Sequence, residues 1–282
     1  MTNERYFTQD QFIAQFNAEI LQAAEVWKRL QENGFSEYAL AVFDFTFVSD
    51  EREKLEALAQ LFTSGYDFVM SEVTQHGDTW KVQGVSNEFP VDGDNLLCWA
   101  IDILVKGFER DCRLDGYGTF AGAANDEFPD MAAGKLEHYF NLALSAYRQQ
   151  NYSASAIHFN TAIRIYDVNP NSWYSRAIVK DSLYLVMQAR ADYDQAIALA
   201  PAFTEAYINR AVNKYEAGEY DAATADFNKV LELDPDNAMV YYNRGNTKFN
   251  AGDREGACAD WKRSQELGGE YAAERLAEYC NS

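Results

Sequence analysis

The sequence predicts two domains of different class, an α+β domain followed by an all-α array of helical hairpins. Three observations carry this. Residues 204–237 read TEAYINRAVNKYEAGEYDAATADFNKVLELDPDN, and the pattern returns 34 residues later from Ala238. Residues 38–48, YALAVFDFTFV, form the strongest strand signal in the chain and have no counterpart in the repeat. Charge divides at the same place: residues 1–130 carry nine basic and 24 acidic side chains, residues 131–282 carry 15 and 20. A period of this length means stacked hairpins, because one hairpin cannot bury its own apolar face.

The first domain opens with a helix over residues 9–30, with Phe12, Phe16, Ile20, Val26 and Leu30 near helical spacing. Gly34 ends it. In the strand that follows, Phe43, Phe45 and Phe47 share one face; Val42, Thr46 and Val48 share the other. Ser49 or Asp50 is placed to cap a second helix, with Glu51 and Glu53 in its first turn and Leu55, Leu58, Ala59 and Phe62 as its stripe. Strands are expected over 66–73 and 79–85, joined by the turn His76-Gly77-Asp78. Asp92 or Asp94 caps a helix over 95–110 that buries Leu96, Leu97, Ala100, Ile103, Leu104 and Phe108. A last strand covers 114–120. The order is a helix and then βαββαβ, the split βαβ of a ferredoxin-like domain with an added N-terminal helix: two helices on one face of a four-stranded sheet. The leading helix covers an edge or part of the other face.

The acidic clusters Asp50, Glu51, Glu53 and Asp92, Asp94 sit where helices begin, and capping accounts for them without chemistry. Asp126, Glu127 and Asp130 fall in AGAANDEFPD, which reads as a linker. The domains are therefore drawn as 1–125, a linker 126–134, and 135–282.

Residues 36–120 combine the long first strand, a helix ending LFTSGYDF and a closing DGYGTF. On these features the span resembles the bacterial regulator of ribonuclease E activity, type B. The resemblance implies inhibition of an RNA-processing endonuclease by protein–protein contact, without catalysis. It makes Asp115, Gly116, Tyr117, Gly118 and Thr119 the family motif. Locally, Asp115 can accept backbone hydrogen bonds, the glycines permit close approach or positive φ, and Tyr117 packs. The motif is either structural or a partner contact. Where the stand-alone regulator has an acidic tail, this chain continues into repeats.

Numbering Thr204 as position 1 puts Tyr207 at 4, Ala211 at 8, Gly218 at 15, Tyr220 at 17, Ala223 at 20, Phe227 at 24 and Pro235 at 32. Small residues at 8 and 20 let two helices approach, and large ones at 4 and 24 fill the gaps. The frames are 136–169, 170–203, 204–237 and 238–271, with a capping helix over 271–280. The second frame has an irregular turn, with Tyr184-Leu185-Val186 where Gly-Glu-Tyr is expected, so residues 183–186 pack apolar surface at a bent corner. These spacings are similar to those of the tetratricopeptide family, and the second domain is read as a tetratricopeptide-repeat solenoid.

That resemblance implies a protein-binding groove lined by positions 2, 5, 9, 12 and 13. The candidates are Phe140, Leu144 and Tyr147 in the first repeat, and Tyr174, Ile178 and Asp181 in the second. Ile208, Val212, Tyr215 and Glu216 follow in the third, and Tyr242, Asn246, Phe249 and Asn250 in the fourth. Exposed aromatics of this kind bind peptides or helices; the alternative is that the first domain or its leading helix fills the groove. Asn209, Asn243 and Asn246 are present, but the lysines of the family's carboxylate clamp are not, so chaperone-tail binding is not expected. Arg210 and Arg244, both at position 7, are expected to brace adjacent helices.

A net charge of -20 argues against binding a phosphate backbone, which needs a basic patch. Cys98, Cys112, Cys258 and Cys280 form no CxxC pair, and residues 1–17 do not read as a leader, so free thiols in a reducing cytoplasm are expected. His76, His138 and His158 are too scattered for a zinc cluster. The chain is therefore expected to be a bacterial, cytoplasmic, non-catalytic interaction or regulatory protein. One form of that expectation is an inhibitor of a basic enzyme such as a nuclease. The alternatives are a peptide-binding scaffold or toxin-immunity protein, and an enzyme of unknown type. Another protein, a basic one on the charge argument, is the expected partner. No cofactor, metal, direct nucleic-acid contact or membrane is expected.

Overall fold

A computed structural model describes residues 5–119 and 127–280. Contacts divide the chain into two compact units, Met1–Asp167 with Val179–Tyr184, and Val168–Ile178 with Leu185–Ser282. The expected strand end at Phe120, the 125/126 boundary and the linker's Asp126 lie outside the described residues.

In the first unit, α1 (Gln9–Glu32) is closed by a capping box between Thr8 and Gln11. Then come β1 (Leu40–Ala41), β2 (Asp44–Ser49), α2 (Arg52–Gly65), β3 (Val69–Met70), β4 (Thr74–His76), β5 (Thr79–Val85) and β6 (Phe89–Pro90). They are followed by α3 (Gly93–Glu109) and β7 (Arg113–Gly118). The sheet runs β3-β5-β2-β7, antiparallel throughout, with β4 folded back on β5. This is the βαββαβ ferredoxin-like order, with β4 as an extra hairpin strand. Phe43, Phe45 and Phe47 face the core as their alternation requires, while Val42 stays exposed. Phe45 meets Phe62 edge-on at 5.6 Å, and Phe43 lies 5.2 Å from Trp99. Each such buried side chain contributes about 1.5–3 kcal/mol.

Several expected elements differ. The single strand over 38–48 is two: β1 pairs with β6, and β2 pairs with β5 and β7. The chain changes partners at Phe43, whose backbone exchanges hydrogen bonds with Ser86. The strand expected over 66–73 shrinks to β3, because Asp67 takes φ 56° and the Phe68 amide returns to the Phe62 carbonyl of α2. Neither Ser49 nor Asp50 caps α2; its N-cap is Glu51, without a side-chain cap bond. Ser49 instead donates to the Asp111 carbonyl, and Asp50 accepts from Lys54 Nζ at 2.8 Å. Asp92 does cap α3, accepting from the Asn95 amide at 2.7 Å.

α3 is buried on every side from Asn95 to Gly107, not along one stripe. It is covered by α1, by the sheet and by the first helical hairpin, α4 (Leu136–Arg148) and α5 (Tyr152–Ile165). This hairpin occupies the first repeat frame, yet it packs as part of the α/β unit. α5 in turn is buried nearly continuously from Ser153 to Ile163.

The later frames start where helices start: α6 (Pro170–Ser182), α8 (Thr204–Glu216) and α10 (Ala238–Asn250). Their partners are α7 (Val186–Leu199), α9 (Tyr220–Leu233) and α11 (Arg254–Glu266), and α12 (Ala272–Tyr279) follows. Position 15 needs a left-handed residue in every frame: Gly218 (φ 77°), Gly252 (φ 90°), but also Gln150 and Tyr184, both at φ 60°. A side chain there costs about 1–2 kcal/mol relative to glycine. At the irregular corner Leu183 and Leu185 are buried and Tyr184 is exposed.

The expectation of four free thiols is corrected. Cys258 and Cys280 are disulfide-bonded, because α12 folds back along α11 and brings their Cα atoms to 5.8 Å. Cys98 and Cys112 are buried thiols outside the disulfide, and burial pushes the Cys112 thiol up to about 12, away from thiolate chemistry. No described helix is long and apolar enough to cross a membrane.

Candidate protein-binding groove

The second unit is built by side chains repeating every 34 residues. In its first two frames positions 8 and 20 hold Ala177 and Ala189, then Ala211 and Ala223, all fully buried beneath Tyr193 and Phe227 at position 24. The last frame changes two residues together: Trp261 stands at position 24 and Gly245 at position 8. A Cβ on Gly245 would lie 2.6 Å from the Trp261 ring and 3.2 Å from the Ala257 carbonyl. Gly245→Ala is therefore expected to cost about 1–3 kcal/mol despite its better helix propensity. Adding Trp261→Phe should recover part of that loss, which urea unfolding of the native chain, the two single variants and the double variant would measure.

A second periodic set holds each hairpin shut. Arg176, Arg210 and Arg244 at position 7 each make a two-pronged bond to Asp192, Asp226 and Asp260 at position 23, at 2.6 and 2.8 Å. Lys214 and Lys248 add a contact at 2.8 Å to the same two later aspartates. Arg210 also reaches Asp194, and Arg244 reaches Asn228 at 2.6 Å, each in the preceding hairpin. These arginines therefore brace adjacent helices. Their acidic and lysine partners were legible as the same residue types at the same spacing. The first frame has Leu142 and His158 at positions 7 and 23, so its hairpin lacks the clamp.

The eleven groove candidates, Phe140, Leu144, Tyr147, Tyr174, Ile178, Ile208, Val212, Tyr215, Tyr242, Asn246 and Phe249, are all half-buried. Part of their surface is used internally. Tyr174 packs on Phe203 at 4.8 Å and its hydroxyl accepts from Asn209; the Tyr215 hydroxyl accepts from Asn250 at 2.7 Å. Asn246 accepts from the Trp261 indole at 3.1 Å. Phe249 lies under Tyr279 of α12 at 4.5 Å, and Tyr242 lies 6.0 Å from Tyr271. Ile208 and Val212 border the core around Phe227. Phe140, Leu144 and Tyr147 belong to the first unit, where Phe140 meets Phe159 and Tyr147 meets Tyr152.

The 115–119 motif closes the α/β sheet. Asp115 is the extra residue of a bulge, since Gly116 pairs with Thr46 and Leu114 with Phe47. Its carboxylate faces Arg113 at 3.7 Å and accepts no backbone hydrogen bond among the described residues. Tyr117 packs 5.3 Å from Trp99 and donates at 2.6 Å to Glu19 of α1, whose carboxyl pKa is raised by burial. Thr119 donates to the Val42 carbonyl at 2.6 Å. Gly118 pairs with Asp44 at the strand end. Among the described residues no group of three or more His, Cys, Asp or Glu side chains is arranged to hold a metal ion.

No protein of curated function matches the sequence. Among solved structures, the chain is similar to YrrB, a TPR protein with an unusual peptide-binding site, at 21% identity over 64% of this chain and 82% of that one, TM-score 0.47. A tetratricopeptide repeat protein from Parabacteroides merdae aligns at 18% identity over 51% and 58%, TM-score 0.49. The first TPR of Spaghetti, bound to an HSP90 peptide, aligns at 21% identity over 43% and 96%, TM-score 0.41. A sequence model of the family described as TPR repeat matches residues 213–252, the span from the end of α8 through α10.

Proposed function

We propose that the chain is a non-catalytic protein-interaction protein whose second unit binds a segment of a partner. The observation that carries this is the row of half-buried apolar and aromatic side chains at one repeat position after another: Tyr174, Ile178, Ile208, Val212, Tyr215 and Tyr242. Tyrosines of this kind offer a flat apolar body and a polar tip at small entropic cost. Asn246 and Phe249 extend the row, and Phe140, Leu144 and Tyr147 hold the same positions in the first unit.

A second reading is inhibition of a basic enzyme, such as a nuclease or a toxin, by the acidic α/β unit. It is favoured by 24 acidic against nine basic side chains in residues 1–130 and by the resemblance of residues 36–120 to the ribonuclease E regulator. A bacterial, cytoplasmic setting comes with that reading, although it loses the support of free thiols at Cys258 and Cys280.

Capture of partners from host extract on the full chain, compared with the Ile208→Glu/Tyr215→Ala variant, separates the two. The groove reading expects the variant to lose its partner by more than about tenfold. The acidic-surface reading expects the variant to keep it and high salt to release it. Retention of the partner under both conditions contradicts both readings.

A further inference from the structure

The first unit contains a cleft of about 580 Å³ between the α/β layer and the α4–α5 hairpin, within the size range of small-molecule sites. Its floor is aromatic: Tyr66, Phe68, Phe89 and Trp99 line it, each under 10% exposed. The hairpin side adds Tyr139, Leu142, Ile157 and His158. Among the lining residues there is no lysine or arginine. The acidic ones are Asp67 and Glu88, both exposed at the rim and without an ion-pair partner among the described residues.

His158 sits where the later repeats place their clamping aspartates, and its ring makes no hydrogen bond among the described residues. Burial, reinforced by His138, pushes its pKa down to about 4, so it puts no positive charge on the wall. The cleft thus combines aromatic surface, two uncompensated carboxylates and a neutral imidazole. An anion would lose its water there and gain no cation. A positively charged head gains both rim carboxylates and the aromatic electron density.

We propose that this cleft is a binding site for a small organic cation with an apolar body, an amine or quaternary ammonium, its head held by Asp67 and Glu88 and its body against the Phe68–Phe89–Trp99 floor. The probe is benzyltrimethylammonium, titrated into the full chain by calorimetry, with benzoate and benzyl alcohol as the anionic and neutral comparisons. Saturable one-to-one binding of the cation, tighter than either comparison, is expected. Asp67→Asn with Glu88→Gln should weaken it at least about fivefold, since rim charges are each worth a fraction of a factor of ten. Because both residues are exposed, the melting temperature should not change. Ile157→Trp, which fills the cleft, should abolish binding. The proposal is overturned by equal or tighter benzoate binding, by an affinity unchanged in the double variant, or by no saturable binding of the cation at millimolar concentration.

Discussion

Asp92→Ala is expected to lower the unfolding free energy of the first unit by about 2–4 kcal/mol in urea denaturation. Asp92 is the N-cap of α3, and its second oxygen accepts from Asn160 at 2.9 Å and from Arg164 at 3.0 Å, both on α5. The cap alone is worth about 1 kcal/mol. The rest comes mainly from the buried Asn160 amide, which loses an acceptor, since Arg164 is exposed and keeps Glu37 at 2.6 Å. Asn160 also donates to Asn95, Arg164 stacks 4.1 Å over the Tyr38 ring, and the Tyr38 hydroxyl bonds Thr161 at 2.7 Å. Burial above all raises the Tyr38 hydroxyl pKa to about 12, so this hydroxyl keeps its proton and its bond to Thr161 near neutral pH. Asp92→Asn retains the cap and should cost only about 1–2 kcal/mol.

The second large effect is a change in pH dependence. Asp102, on α3, is fully buried; it accepts from the Ser153 amide at 2.8 Å and from the Tyr66 hydroxyl at 3.1 Å, and its other oxygen has no hydrogen-bond partner among the described residues. Burial is the dominant cause that raises its pKa from 3.8 to about 6, against those hydrogen bonds and Lys106, which pull it down. A carboxyl with a raised folded pKa binds its proton more tightly folded than unfolded. Its contribution is therefore neutral below pH 3.8, falls as pH rises through the window to about 6, and stays unfavourable above it. The full swing is about 3 kcal/mol, at about 1.4 kcal/mol per pH unit. The stability difference between Asp102→Asn and the native chain should accordingly move in favour of the variant by that amount between pH 4 and pH 7. Parallel stability–pH curves would contradict the assignment.

The two halves of the molecule were not equally readable. The repeats were legible almost to the residue, since a 34-residue period is checked by every copy and helix starts at Leu136, Pro170, Thr204 and Ala238 fall on the frames. The strand at 79–85 and the turn at Gly77 were legible for local reasons, alternation and a left-handed turn residue. What was not legible depends on distant pairing. The break at Val42–Phe43 is set by Ser86, and the Cys258–Cys280 bond by the return of α12. Of the candidate site residues, the half-buried row was readable from repeat position. Its internal use by Asn209, Asn250 and Tyr279 was not, because those partners come from neighbouring helices. The first hairpin's place in the α/β unit was not legible, because it depends on the packing of α5 on α3; the sequence shows only that Leu142 and His158 break the Arg–Asp clamp that the later repeats keep.

The first hairpin packs as part of the α/β unit, and the second unit takes up the repeats from α6. Amide hydrogen exchange on the full chain, native and Asp92→Ala, tests it most directly. α4 and α5 are expected to share the protection of α3 and to lose it together with α3 in the variant, while α8–α11 are unchanged. Exchange of α4 and α5 in step with α8–α11, untouched by Asp92→Ala, would contradict it.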